Sequence, residues 1–229
     1  MSWINSNHQI LFYILLITAL LLTRIPVLGK YFRSVNTLVH EAGHAFVTLL
    51  LSGEVIAVNL FADTSGTTVT KAKGKFPQAI IALAGYPVSA LTGWLCLFLL
   101  YKGYNLYILF ILTSIALIIM ILSLRNMYGL FWAGTFVVLN LLLIYFNSKP
   151  LFYTFAAFYS VIIFTDAIIS SVVLFVLSIK QPKKAGDATN LHKITKIPAV
   201  VWSILLLVFT LFISWLSVIN YFPPIKNLI

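Results

Sequence analysis

The feature that most constrains this chain is a series of long apolar segments separated by loops that carry nearly all of its charges. Most of the segments reach the roughly 20 residues that a helix needs to cross the hydrocarbon core of a bilayer. Because a helix satisfies its own backbone hydrogen bonds, each segment is expected to cross as an α-helix. The expected spans are 9–28, 35–52, 76–101, 103–124, 126–148, 150–179 and 197–222.

The composition agrees with a membrane location. Of 229 residues, 61% are hydrophobic and only 9% are charged, whereas a soluble domain carries about 25% charged residues. The net charge is +10, but no dense basic run with interleaved aromatics suggests a nucleic-acid partner. The sequence therefore predicts an all-α polytopic membrane protein, a single integral membrane domain over residues 1–229 with about seven transmembrane helices and the lipid bilayer as a partner.

The loop charges predict an orientation. With seven spans, the loops on the N-terminal side hold nine Lys and Arg residues and the opposite side holds six. The positive-inside rule then places the N-terminus in the cytoplasm, and the cell membrane is the expected location. Because residues 1–23 contain no Lys or Arg, the first segment is expected to remain as a span and not to act as a cleaved signal peptide.

One polar loop, at about 53–75, has the pattern of a β-hairpin. β-branched residues lie on either side of Ser65 and Gly66, and such runs around a Ser-Gly turn are typical of paired strands. Because the loop follows the second span, the hairpin is expected on the cytoplasmic side. A surface loop without strands is the alternative.

The second span contains His40-Glu41-Ala42-Gly43-His44. Helical residues four apart lie on one face, so both imidazoles can hold one metal ion. Glu41 can then act as general base toward a water molecule, which is the HExxH arrangement of zinc hydrolases. The alternative is a hydrogen-bonded histidine pair with an ion-paired Glu41. Because an acid within a span is costly, and residues 35–52 contain no Lys or Arg to pair with it, we expect a site for one Zn²⁺.

A catalytic zinc site needs a third protein ligand. The chain has only five acidic residues, so the candidates are few. Asp166 is preferred because it is the only other acid within a span, at a depth similar to that of His44 when the second and sixth spans run parallel. Asp187 is the alternative, although it could instead cap a helix. The remaining candidates are Asp63, His192, Glu54 and His8.

These motifs resemble the site-2 protease family of intramembrane zinc metalloproteases. The likeness rests on the HExxH span, on the Ser52-Gly53-Glu54 segment that precedes the β-rich loop, and on Ala84-Gly85-Tyr86-Pro87, which is similar to the Ala-Gly-Pro segment of that family. The second family motif, an Asn-Pro stretch ending in Leu-Asp-Gly, is not present. The chain is closer to a small divergent branch without a PDZ domain, in which a Ser-Val…Asp segment is followed by an Asp-Ala pair and by a Trp in the last span. Asp166, Asp187-Ala188 and Trp202 occupy these three positions.

The resemblance implies a family core over roughly residues 30–190 and cleavage of membrane-embedded protein substrates. In that interpretation His40, His44 and Asp166 bind zinc and Glu41 is the catalytic base. Gly85 and Pro87 are expected to support the core or the substrate. From its place beside Arg125 in a tight turn, Asn126 is expected either to orient a ligand or to satisfy backbone groups. The competing hypothesis is a non-catalytic zinc-binding membrane protein, either a pseudoprotease, a scaffold or a metal carrier.

Overall fold

The computed structural model describes residues 6–23 and 25–223 and is mostly helical. Within those residues, eight α-helices and one two-stranded antiparallel sheet follow one another along the chain, and a single 3₁₀ turn covers Pro182–Lys184. The elements are α1 (Ser6–Leu22), α2 (Leu28–Leu50), β1 (Glu54–Leu60), β2 (Gly66–Lys71), α3 (Lys75–Tyr101), α4 (Asn105–Leu122), α5 (Met127–Phe146), α6 (Lys149–Lys180), α7 (Gly186–Thr195) and α8 (Ala199–Tyr221).

Five helices in the described part of the chain are long and apolar enough to cross a membrane, namely α3, α4, α5, α6 and α8. The apolar part of α1 is shorter and covers Gln9–Leu22. Helix α2 has 23 residues, but its buried face carries polar side chains that include Glu41 and His44. The expected helical fold with a hairpin after the second helix is confirmed, and the helices indicate a multi-pass membrane protein.

The structure differs from the sequence interpretation at the start of α2 and in the segment after α6. Helix α2 begins at Leu28, seven residues before the expected start of the second span. Hydropathy assigned Lys30 and Arg33 to a loop, yet both lie on α2, where an ion pair from α6 compensates the charge of Arg33. The short helix α7 was also not expected, because its ten residues are too polar to resemble a span.

The hairpin is attached to the helices at two places. Val58 of β1 donates its N–H to Ser123 O at 2.8 Å and accepts a bond from Arg125 N at 3.1 Å, so the turn after α4 forms one isolated parallel bridge with β1. The side chain of Asn126 bonds both backbone groups of Leu60, accepting from its N–H at 3.1 Å and donating to its carbonyl. Asn126 therefore satisfies the backbone at the end of β1.

Helices α2 and α3 approach closely because glycines face the partner helix at two points. A Cβ placed on Gly43 would lie 2.8 Å from Val88 Cβ, so only glycine permits the observed spacing at this position. Gly85 fills the same role from α3, where it faces the HExxH segment. This contact fixes how α2 presents its histidines.

Candidate metal centre

Helix α2 places the two histidines of the HExxH motif side by side. Because they are one helical turn apart, their rings are adjacent in an edge-to-face arrangement, and the two Nε2 atoms are 3.1 Å apart. On the other side of the His44 ring, Nδ1 lies 2.7 Å from the carbonyl oxygen of Ile81 in α3. Since a carbonyl can only accept, Nδ1 carries the proton and Nε2 is left free as a ligand atom.

Helix α3 forms the wall behind both imidazoles. A Cβ on Gly85 would lie 2.6 Å from His44 Nε2 and closer still to the ring of His40. The ring of Tyr86 packs edge-on against His40, with centroids 4.7 Å apart. Gly85 thus supports the centre from behind the histidines, by leaving the space that they occupy, and Tyr86 restricts the rotation of His40.

Asp187 completes the group from the first turn of α7. Its Oδ2 atom is 3.2 Å from Nε2 of His40 and 3.2 Å from Nε2 of His44. Burial raises the pKa of the Asp187 carboxyl, but the imidazoles of His44 and His40 more than reverse that effect and hold its pKa well below the usual range. The carboxylate is therefore ionised, and no side-chain cap bond from it is seen at the described start of α7.

The three ligand atoms fit a zinc ion. They form a nearly equilateral triangle with sides of 3.1, 3.2 and 3.2 Å. A tetrahedral zinc ion with bonds of about 2.0–2.1 Å separates its ligand atoms by about 3.3–3.4 Å. Two nitrogens and one carboxylate oxygen also suit zinc chemically. Within the described residues, this is the group of His, Cys, Asp and Glu side chains that could hold a metal.

Asp166, the preferred third ligand from the sequence, lies outside this group. Its Oδ1 accepts a hydrogen bond from Arg33 Nε at 2.7 Å, and its Oδ2 accepts one from Asn36 Nδ2 at 3.4 Å. The geometry thus favours the alternative, Asp187, over Asp166. Depth along parallel helices does not specify which partner a side chain faces, and the sequence interpretation assigned Arg33, the partner of Asp166, to a loop.

The remaining ligand candidates are placed elsewhere. Asp63 lies in the hairpin turn, where hydrogen bonds from Ser65 lower its pKa. His192 is exposed on α7, with Nδ1 2.9 Å from Ile197 O, and Glu54 is exposed at the start of β1. The side chain of His8 lies outside the described residues.

Glu41 is buried on α2 beside the three ligands, and the hairpin covers it. Thr68 of β2 donates its hydroxyl to Glu41 Oε2 at 2.5 Å. A Cβ on Gly66 would lie 2.6 Å from Glu41 Oε1, so glycine allows β2 to approach the carboxylate. The sequence interpretation missed both contacts, because the spacing of β2 residues carries no information about which helix the strand covers.

Glu41 and the three ligand residues line one cleft of about 740 Å³. Residues of α2, β2, α3, α6 and α7 contribute to its lining. The outer edge of β2 is paired with no strand in the described part of the chain, whereas the outer edge of β1 is bridged at Val58 by the turn after α4. A volume of this size is typical of a site for a ligand or an extended peptide.

Comparison with known proteins gives one family. The model of the family described as Peptidase M50B-like matches residues 13–217, a range that includes α2, the hairpin, α3, α6 and α7. No curated protein sequence gives a significant match, and neither does any solved structure.

Proposed function

Because the chain belongs to the Peptidase M50B-like family, which is site-2 protease-like, we propose that it is an intramembrane zinc metallopeptidase that hydrolyses peptide bonds of membrane-embedded proteins. The observation that carries the proposal is the convergence of His40, His44 and Asp187 beside Glu41 in one cleft. In site-2 protease-like enzymes this combination of two histidines, one carboxylate ligand and one free carboxylate is what peptide hydrolysis needs.

In this proposal His40, His44 and Asp187 hold one Zn²⁺. When bound, zinc polarises the scissile carbonyl and makes a water molecule a better nucleophile. Two residues of α3 support the histidines. The Ile81 carbonyl fixes the tautomer of His44, and Gly85 leaves room for both rings. Such supporting contacts change metal affinity by about 10- to 100-fold when they are lost.

Glu41 is the proposed general base. One of its carboxylate oxygens takes a proton from the attacking water, and the same group later gives that proton to the leaving amine. The hydrogen bond from Thr68 to Oε2 holds the carboxylate in place beside the metal ligands. General acid-base catalysis of this kind contributes about 10²- to 10⁴-fold to the rate.

The unpaired edge of β2 is the proposed place for the substrate backbone. An extended segment added to a sheet edge gains main-chain hydrogen bonds without any requirement for a particular sequence. A helical substrate must therefore unwind locally before it enters the cleft. If a variant without residues 66–71 that still folds and binds zinc hydrolysed substrate at the normal rate, this role of β2 would be wrong.

We further propose that the N-terminus and the hairpin face the cytoplasm in a cell membrane. The support is the excess of basic residues in the loops on that side. A single cysteine introduced into the hairpin turn and labelled from one side of sealed membranes would test this orientation.

The decisive experiment for the function compares Glu41→Gln with the natural chain in detergent. We expect zinc stoichiometry to stay at one ion, because the glutamine leaves all three ligands in place. Hydrolysis of a quenched-fluorescent transmembrane peptide is expected to fall by about 10²- to 10⁴-fold. Zinc retention with undiminished hydrolysis would refute the mechanism, and zinc transport into liposomes by the same protein would favour a metal carrier.

A second comparison tests the third ligand. Asp187→Asn replaces a charged ligand by a neutral amide, so we expect zinc affinity to fall by at least about 10-fold. Asp166→Asn is the matched control, and its zinc stoichiometry is expected to stay at one ion. Loss of zinc in the Asp166 variant alone would reverse the assignment.

A further inference from the structure

The cleft contains a cation that the proposed chemistry does not use. Arg33 lies on α2 seven residues before His40, two helical turns away on the same face, and it lines the cleft together with the metal ligands. Its side chain is 31% exposed. An arginine at this place is costly in a membrane helix unless it is paired and functional.

The contacts of Arg33 use only part of its guanidinium group. Nε donates to Asp166 Oδ1 at 2.7 Å, and the Asp166 side chain is 6% exposed. Asn36 donates to the other oxygen of the same carboxylate. Among the described residues, no acceptor bonds the two terminal amino groups of Arg33. Asp166 thus orients the guanidinium through Nε, and the two terminal amino groups of Arg33 remain available to a ligand in the cleft.

The position of Arg33 corresponds to a definite place on an extended substrate. Seven residues of α-helix span about 10.5 Å, which an extended peptide covers in about three residues. The hairpin follows the same direction, because Thr68 contacts Glu41 and the carbonyl of Thr64 accepts a bond from Thr37 at 2.8 Å. A segment along β2 therefore passes Glu41 first and then reaches Arg33.

The charges around the cleft favour an acidic ligand. Lys71 and Lys193 line it in addition to Arg33. Of the three acids in the lining, Glu41 and Asp187 belong to the metal centre and Asp166 already pairs with Arg33. The planar guanidinium binds a carboxylate through two parallel hydrogen bonds better than it binds any other side chain. A substrate carboxylate can therefore use both free amino groups at once.

We propose that Arg33 determines specificity by binding the carboxylate of a substrate Asp or Glu about three residues from the scissile bond. The inference rests on the proposed peptidase function and names a substrate class for it. Asp166 is a positioning residue in this scheme, since it acts on the ligand through Arg33. This role also explains why α6 carries an acid that does not join the metal centre.

The test uses peptide hydroxamates, because a hydroxamate binds catalytic zinc and fixes the register of the attached peptide. Two series carry the hydroxamate at the C-terminus or at the N-terminus, with one Glu or one Gln placed two to five residues away. In one of the two series, we expect a peptide with Glu at about the third residue from the hydroxamate to bind the zinc-loaded natural chain more tightly than the matching Gln peptide. The expected difference in affinity is about 10-fold. Binding is measured by displacement of a fluorescent hydroxamate.

Three variants assign the preference to Arg33. The double variant Arg33→Gln with Asp166→Asn removes the ion pair without leaving a buried charge, and it should bind one zinc ion and prefer neither peptide. Arg33→Lys should retain part of the preference, because lysine keeps the charge but not the paired donors. Lys184→Gln is the control at an exposed cation that does not line the cleft, and it should retain all of the preference.

The outcomes separate the two proposals. Hydroxamate binding without a preference for Glu in the natural chain would overturn the role of Arg33 and leave the peptidase proposal intact. A preference that persists in the double variant would also overturn it. If no hydroxamate binds the zinc-loaded protein, the peptidase function fails, and the specificity inference fails with it.

Discussion

Gly85→Ala gives the sharpest test of how the metal centre is built. The new Cβ would lie 2.6 Å from His44 Nε2, where ordinary contact begins at about 3.4 Å, and it would lie closer still to His40. The imidazoles must therefore move by roughly 0.8 Å or the helices must separate, whereas metal ligands tolerate deviations of about 0.2 Å. We expect zinc affinity to fall at least about 100-fold, or about 2.7 kcal/mol.

The same substitution should change the stability of the fold very little. Alanine is favoured over glycine within a helix by about 1 kcal/mol, which offsets much of the roughly 1–3 kcal/mol that overpacking costs. Zinc affinity is measured by competition with a fluorescent chelator in detergent, and stability by thermal unfolding of the metal-free protein.

The matched control is Gly134→Ala in α5, because a Cβ at that position meets nothing within 4 Å. It should leave zinc affinity unchanged. If Gly85→Ala binds zinc as tightly as the natural chain does, the view that α3 holds the histidines by direct contact is refuted. Equal losses in both variants would indicate a general effect of the substitution and would refute it as well.

Three further outcomes follow from the same contacts. Thr68→Val should keep zinc but lower kcat about 10-fold with little change in KM, because it removes the hydrogen bond that fixes Glu41. Thr68→Ser should restore the rate, whereas Thr154→Val, at a position of α6 that does not line the cleft, should have no effect. Asn126→Ala should destabilise the fold by about 1–3 kcal/mol, seen in thermal unfolding, because both backbone groups of buried Leu60 lose their partner. Treatment with a chelator should abolish hydrolysis, and added Zn²⁺ should restore it without refolding; activity that survives complete zinc removal would contradict the metal site.

Local patterns in the sequence were sufficient for the helices, the hairpin and part of the site. Apolar length predicted the membrane helices because a bilayer imposes a fixed span. The spacing of His40 and His44 predicted their common face because helix geometry is local. β-branched residues around Ser65 and Gly66 predicted the two strands for the same reason, and the HExxH motif with its flanking segments also identified the family.

Contacts between distant segments could be decided only by the tertiary structure. Whether Asp166 or Asp187 joins the histidines depends on the rotation of α6 and on the return of α7 to the cleft, and neither is a local property. The pairing of Arg33 with Asp166 and the placement of β2 over Glu41 likewise join residues that are far apart in sequence. The sequence by itself determined which elements form and which residues can do chemistry. Packing of those elements decided which residues meet, because side-chain contacts depend on the relative rotation and approach of whole helices.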